Sequence, residues 1–313
     1  MSFASQVKEE LCKGEHGRCH ALPARFPAGT GCQLAECMGI ALYCNTCSAG
    51  ELRIITENRR FAQRLPELFR RCFGITFDVF PDVSESTGKL TIAVTDPGKL
   101  RMIFDVFGYE LGSSVSVHLN RGLLEEDCCR SAFLRGAFLA GGSVTDPDKR
   151  YHLELVTSHR SVSWEVYALL LDMGFLPKET QRSGSSVLYF KQSDAIEDIL
   201  TTMGAPVSAM HIMEAKVEKD LRNSVNRRVN CETANLTKVV DAAQEQVNAI
   251  ERLMSSEQWA ALPDKLRQTA QLRCDNPEAT LQELAELSTP PVSKSAINHR
   301  LRKLLALSDV SVH

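Results

Sequence analysis

No run of about 18 apolar residues occurs anywhere in the chain, so no membrane-spanning helix and no membrane partner are expected. The first residues, MSFASQVKEELCKG, lack the apolar core of an export signal, so secretion is not expected and a cytoplasmic location is. A second CxxC is also missing. Cys44-Asn45-Thr46-Cys47 is one such pair, whereas a structural zinc site usually combines two. Cys12, His16, Cys19 and His20 lie near it in sequence, but small buried residues and free thiols are the favoured reading, and no metal or cofactor is expected. Eleven cysteines are present, an odd number. Six fall between Cys12 and Cys47, and Cys128 adjoins Cys129. Without an export signal they read as reduced thiols. Excess positive charge is missing too: the formal net charge is −3. Any affinity for a polyanion must therefore come from local patches.

What is present is ordinary for a globular protein. At 313 residues the chain can hold two or three domains, and its apolar share is 43%. Residues 280–305 read TLQELAELSTPPVSKSAINHRLRKLL. A short amphipathic helix, a turn with two prolines and a second amphipathic helix form the outline of a helix-turn-helix. Thr280 followed by Glu283 is a capping box, and Ser293 is the expected cap of the second helix. Residues 287–308 contain four basic residues and no acid. Ile297, Leu301 and Leu304 recur at i, i+4 and i+7 and must face a core. The other side offers Lys294, Ser295, Asn298, His299, Arg302 and Lys303, with Arg300 beside them. Recognition helices need this division between a packing face and a face of hydrogen-bond donors. Asn298 suits a bidentate adenine contact, Lys294 or Arg302 suits guanine or phosphate, and the helix start at Ser293 can hold a phosphate. Arg222, Arg227 and Arg228 are candidate phosphate contacts in a basic connector, residues 214–231. A long helix is expected after it, from Leu236 to Glu257, capped by Asn235 or Thr233. Its apolar stripe would be Val240, Ala243, Val247, Ile250 and Met254.

Upstream, the chain repeats itself. IITENRRFAQRLPELFRRCFG at 54 parallels LVTSHRSVSWEVYALLLDMGF at 155, a shift of 101 residues. IAVTDPGKLRMIFDVFG at 92 parallels LYFKQSDAIEDILTTMG at 188, a shift of 96. Each unit reads helix-strand-helix-strand-strand-helix, with strands expected at LRIITEN, ITFDVF and KLTIAVTD in the first. Both close on a glycine, Gly108 and Gly204. The fold class is therefore α+β: a duplicated domain with two-fold pseudo-symmetry, followed by an all-α domain. The expected boundaries are 1–115 and 116–213 for the two halves, 214–231 for the connector, and 232–313 for the helical domain.

SAFLRGAFLAGGSVTDP, within such a duplicated unit, resembles the LAGLIDADG homing-endonuclease fold. That resemblance implies two helices packed at the pseudo-dyad, each ending in a metal-binding acid. Setting the motif on Leu134–Gly142 puts Gly136 at its first glycine and the acid on Gly141. In CMGIALYCN, Gly39 takes the glycine and the acid falls on Cys44. Two-metal phosphodiester cleavage needs carboxylates around hard cations; glycine supplies no ligand and a thiolate prefers softer metals. Asp146 and Asp148 lie beyond the helix end in VTDPDK, which reads as a turn. The scaffold thus reads as non-cleaving, without catalytic residues. Nearly end to end, the chain is similar to the WhiA family of bacterial regulators, through MSFASQVKEEL, AFLRGAFLAGGSVTDP, YHLEL, NRRVNCETANLTKVVDAA and PPVSKSAINHRLRKL. This resemblance implies promoter binding by the C-terminal helix-turn-helix and a role in sporulation, cell division or chromosome segregation. It implies double-stranded promoter DNA as partner, another transcription factor or RNA polymerase as a further one, and a nucleoid-associated location. Two alternatives remain at this stage: a surviving metal-dependent endonuclease, and a protein-interaction scaffold built on the N-terminal residues.

Overall fold

A computed structural model describes residues 2–14, 30–84, 88–109 and 117–310. They divide into two units, Met1–Lys219 and Asp220–His313. The expected boundary between halves at 115/116 lies outside the described residues, as do His16, Cys19 and His20.

The first unit opens with helices α1 (Phe3–Lys13) and α2 (Gly31–Tyr43). Strands β1 (Thr46–Ser48) and β2 (Glu51–Thr56), helix α3 (Arg59–Phe73), strand β3 (Leu90–Val94) and helix α4 (Pro97–Phe107) follow. The second half repeats this order: α5 (Asp127–Gly141), β4 (Gly142–Val144), β5 (Leu153–Thr157), α6 (Arg160–Asp172), β6 (Lys178–Arg182), β7 (Ser185–Phe190) and α7 (Ser193–Met203). Two antiparallel sheets result, ordered β1-β2-β3 and β4-β5-β7-β6. Pairing Ile54 with Ile92, and Leu155 with Leu188, puts apolar side chains on one face of each sheet. The helices stop where the sequence says they should. Gly108 and Gly204 close α4 and α7 at φ +77° and +96°, left-handed values that glycine adopts without a Cβ penalty.

One expected strand does not form. In ITFDVF only Val79 makes a bridge, to Ala93. Asp78 turns its carboxylate to the Thr95 and Asp96 amides at 2.7 and 2.8 Å, and Pro81 has no N–H to extend a ladder. In the second half the same sheet position is filled by β6, shifted a few residues from the Phe175–Thr180 expected. Ser183 and Gly184, at φ +50° and +80°, provide the two-residue turn that lets β6 pair fully with β7.

The centre of the first unit is the pair α2 and α5, and its geometry is reciprocal. A Cβ on Gly39 would stand 2.2 Å from the Phe133 carbonyl oxygen; one on Gly136 would stand 2.1 Å from that of Glu36. Backbone therefore meets backbone at both glycines. Glu36 is fully buried there and takes a two-pronged bond from Arg64, with Nε and Nη2 at 3.1 and 3.2 Å.

A second expectation needs correction. The connector 214–231 and the helix after it are one element, α8 (Pro206–Met254). Neither Thr233 nor Asn235 is a cap. The Thr233 carbonyl accepts from the Thr237 hydroxyl one turn on, within the helix. No glycine or proline occurs between Pro206 and Pro263, and Arg228 pairs with Glu232 at i+4, so nothing in the sequence ends the helix early. Of the expected stripe, Ala243 and Ile250 are buried and Val247 and Met254 partly so, while Val240 is exposed.

The second unit adds α9 (Asp264–Asp275), α10 (Leu281–Leu287) and α11 (Lys294–Val310). Ile250, Leu253, Leu266, Ala270, Leu284, Ile297, Leu301 and Leu304 form its core. Arg273 is buried among them and forms no ion pair with a carboxylate among the described residues. It donates to Gln246 Oε1 at 3.0 Å and to the Ala279 carbonyl at 2.7 Å, tying α8 to the 276–279 loop. Replacing Arg273 by Met leaves those acceptors without their donor. The midpoint of urea unfolding of this unit is expected to fall by an amount equivalent to about 2 kcal/mol; an unchanged midpoint would refute the role.

Candidate nucleic-acid interface

Helix α11 begins on Ser293, whose hydroxyl accepts from the Ala296 amide at 3.2 Å. The preceding helix carries the expected capping box, with Thr280 and Glu283 bonded reciprocally at 2.7 and 3.3 Å. The loop between them is fixed to α10 by the Val292 amide, which donates to the Ala285 carbonyl at 3.1 Å. These local bonds and the buried Ile297, Leu301 and Leu304 set the rotation of α11 about its axis.

At roughly 100° per residue, Ser295, His299 and Arg302 lie opposite that buried stripe. All three are exposed, as are Ser293, Lys294 and Lys303; Asn298 sits half-buried at the flank. Seven of the eight expected residues thus share the open side or its edge. Arg300 differs. It lies on the other flank, and its Nη1 donates to Thr269 Oγ1 on α9 at 3.4 Å. The three upstream arginines are all exposed, but on a helix Arg222, Arg227 and Arg228 project in three directions, and Arg228 is paired with Glu232 at 3.0 Å. They form no single basic face. Read as a basic connector, the segment gives no directions to its arginines; only the helix separates them.

The sheets of the first unit offer little positive charge. Arg53 stands 3.7 Å from Glu51, while Glu154 accepts from both His152 and Arg182, at 3.2 and 3.1 Å.

The residues at the two expected acid positions do not fit hard divalent cations. A Cβ on Gly141 would lie 2.4 Å from the Val156 carbonyl oxygen and 2.8 Å from that of Tyr43, so there is no room even for the first atom of an acidic side chain. The Cys44 thiol is buried and engaged with the Ala41 and Thr46 carbonyls at 3.2 and 3.0 Å. Lys8 of α1 reaches the same helix end and donates to the Leu139 carbonyl at 3.0 Å. Asp146 does not replace the lost acids, because its carboxylate accepts from the Asp148 amide in a turn.

Burial decides the protonation of these groups. It pushes the Cys47 and Cys12 thiols up to about 12 and raises Cys44 as well, so all three are neutral thiols near pH 7. A thiol whose folded pKa lies above its unfolded value of 9.0 contributes stability below pH 9 that is lost as pH rises towards 12. Lys8 opposes this: burial lowers it from 10.5 to about 8, so it adds stability as pH rises across that interval. The melting temperature is therefore expected to fall above pH 9, where three thiols outweigh one lysine, and more steeply above pH 10.5, where Lys8 no longer compensates. Combining Cys12→Ala with Cys47→Ala should flatten the fall; an equally steep decline in the variant would show that other groups cause it.

Comparison with known proteins bears on the family and the fold. The family model described as the WhiA C-terminal HTH domain matches residues 225–308, and the one described as the WhiA LAGLIDADG-like domain matches residues 130–222. A protein of Alkaliphilus oremlandii is 36% identical, with 97% of this chain and 96% of that one covered, and is called "Probable cell division protein WhiA". A protein of Ruminiclostridium cellulolyticum with the same name is 36% identical, again over 97% of this chain and 96% of its own. The crystal structure of full-length WhiA from Thermatoga maritima shares the fold at a TM-score of 0.58 and 20% identity, covering 99% of this chain and 98% of that one. The duplicated α+β unit with its glycine-packed helix pair, and the helix-turn-helix after it, are the two parts those matches span, and the chain belongs to the WhiA family.

Proposed function

We propose that the protein is a sequence-specific DNA-binding regulator of transcription that acts in bacterial cell division, the process named in its relatives, and that it carries no nuclease activity. One observation carries this reading: α11 turns Lys294, His299, Arg302 and Lys303 away from its own core, with Asn298 at the flank, and its one acid, Asp309, comes only in the last turn. In the proposed complex the N-terminal turn of α11 enters the major groove. Asn298 reads adenine, Lys294 or Arg302 reads guanine, and Lys303 with the Ser293 helix start holds phosphates. The duplicated half serves as scaffold, since Cys44 and Gly141 cannot hold the cations that phosphodiester cleavage needs. The protein then works in the cytoplasm, on the nucleoid.

Genome-wide mapping of sites bound by the full-length protein tests the proposal. Recurrent occupancy of promoters sharing one sequence is expected, with the peaks lost in an Asn298→Ala strain; occupancy without a shared sequence would sink it. Supercoiled DNA incubated with the protein and magnesium or manganese should stay uncut. Cutting abolished by Asp146→Asn would revive an endonuclease.

A further inference from the structure

The proposed function leaves one side-chain cluster unused. Cys32, Cys128 and Cys129 bring their sulfurs within 4.8 Å of one another. Cys32 and Cys129 are buried, Cys128 is exposed, and none is in a disulfide. They come from both halves of the duplicated unit: Cys32 from the first turn of α2, the other two from the first turn of α5.

The placement follows the internal symmetry. The shift that carries Gly39 onto Gly136 also carries Cys32 onto Cys129. The two helices run alongside each other, with Glu36 facing Gly136 and Tyr43 facing Gly141. Their starts therefore meet as their middles and ends do, and the two symmetry-related thiols face each other across the pseudo-dyad. Cys128 adds a third sulfur from the solvent side.

We propose that Cys32, Cys128 and Cys129 form a three-sulfur site for a soft divalent cation, zinc being the physiological candidate, which ties the two halves together at the start of the central helix pair.

Thiolates are the ligands soft and borderline cations select, while oxygen ligands suit magnesium and calcium. Three protein sulfurs complete a zinc site with one position left for water or another small ligand. Zinc–sulfur bonds of about 2.3 Å place the sulfurs of a tetrahedral site roughly 3.8 Å apart. The observed spacing closes to that by small side-chain rotations, without moving either helix. Charge is also provided for. Three thiolates exceed the charge of a divalent ion, and the positive ends of two helix dipoles converge on the cluster to offset the difference. Exposure of Cys128 gives an ion a way in.

The site differs from the CxxC in every relevant respect. Cys44 and Cys47 are both buried, and the Cys44 thiol is spent on two carbonyls. The two clusters can therefore be separated by mutation.

The experiment uses the full-length protein, reduced and freed of metal under anaerobic conditions. Cadmium is titrated in while the ultraviolet sulfur-to-metal charge-transfer band is recorded, and zinc is then used to displace it. Saturation at about one equivalent per chain is expected, with the band at least about tenfold weaker in both Cys32→Ser and Cys128→Ser, and retained when Cys44→Ser is combined with Cys47→Ser. Because Cys128 is exposed, Cys128→Ser should keep the metal-free melting temperature, so its loss of the band reports ligation and not misfolding. Zinc should raise the melting temperature of the unaltered chain but not that of Cys128→Ser. Absence of a charge-transfer band at stoichiometric cadmium, or a band that survives Cys128→Ser and disappears with the Cys44 and Cys47 changes, would overturn the proposal.

Discussion

Gly136→Ala should cost the N-terminal unit at least about 3 kcal/mol, and Gly136→Val should prevent it from folding. The reason is where the new atom lands. Its Cβ would sit 2.1 Å from the Glu36 carbonyl oxygen and 2.9 Å from the carbon bonded to it. That neighbour is helical backbone, so no rotamer change can relieve the contact. The helices must separate, and separation loosens what surrounds the crossing: Leu34, Met38, Ile40, Phe133, Ala137 and Phe138, all buried. It also disturbs Glu36, whose charge is matched by Arg64 and, at 3.9 Å, by Arg135. Against a total stability of roughly 5–15 kcal/mol, such a loss is large. Thermal and urea unfolding of the full-length variant measure it. Gly50→Ala is the control, because a Cβ there meets nothing within 4 Å. Equal effects of the two substitutions would refute the close helix crossing.

The second large effect concerns DNA. Arg302→Ala with Lys303→Ala should weaken binding of promoter DNA by roughly 30-fold to 100-fold, and reduce the slope of log affinity against log salt by about 2. Both side chains are exposed on the open side of α11, and neither forms an ion pair with a described residue, so the folded domain loses nothing when they are removed. The effect should therefore appear in binding and not in the melting temperature. Arg300→Ala should behave differently. Its guanidinium is turned to Thr269, so its removal should disturb the contact between α9 and α11 more than the salt slope. Unchanged affinity and slope in the double variant would put the phosphate contacts elsewhere in the chain.

Much of this was readable in the residues, for identifiable reasons. The repeat showed because each half keeps the same order of apolar runs and stops at the same places. The two helices that end on Gly108 and Gly204 occupy Pro97–Phe107 and Ser193–Met203, ranges that match residue for residue under the shift of 96. The caps at Thr280 and Ser293 showed because capping depends on a few neighbouring atoms. The rest depends on partners distant in sequence. Strands β1 and β4 have three residues each and exist only by pairing with β2 and β5. ITFDVF alternates like a strand, but Asp78 and Pro81 redirect its polar groups. The continuity of α8 was available as an absence of glycine and proline, yet its run of arginines reads as a connector when charge is weighed first. Nothing in the sequence marks Arg273 as buried, because its place depends on Gln246 of α8 and on the Ala279 carbonyl. The clash at Gly141 depends on Val156 and Tyr43, which only the folded sheet and helix pair bring to it.

The central claim is that α11 reads DNA sequence through the side it turns from its core. The most direct measurement selects a preferred duplex from a random pool with the full-length protein. Its affinity is then compared with that of a scrambled duplex at one fixed salt concentration, for the unaltered chain and for Asn298→Ala. The account predicts a preference of about a thousandfold or more, falling by about tenfold or more in the variant, while affinity for the scrambled duplex stays the same. Equal affinity for the two duplexes, or a preference untouched by Asn298→Ala and by Arg302→Ala, would contradict it.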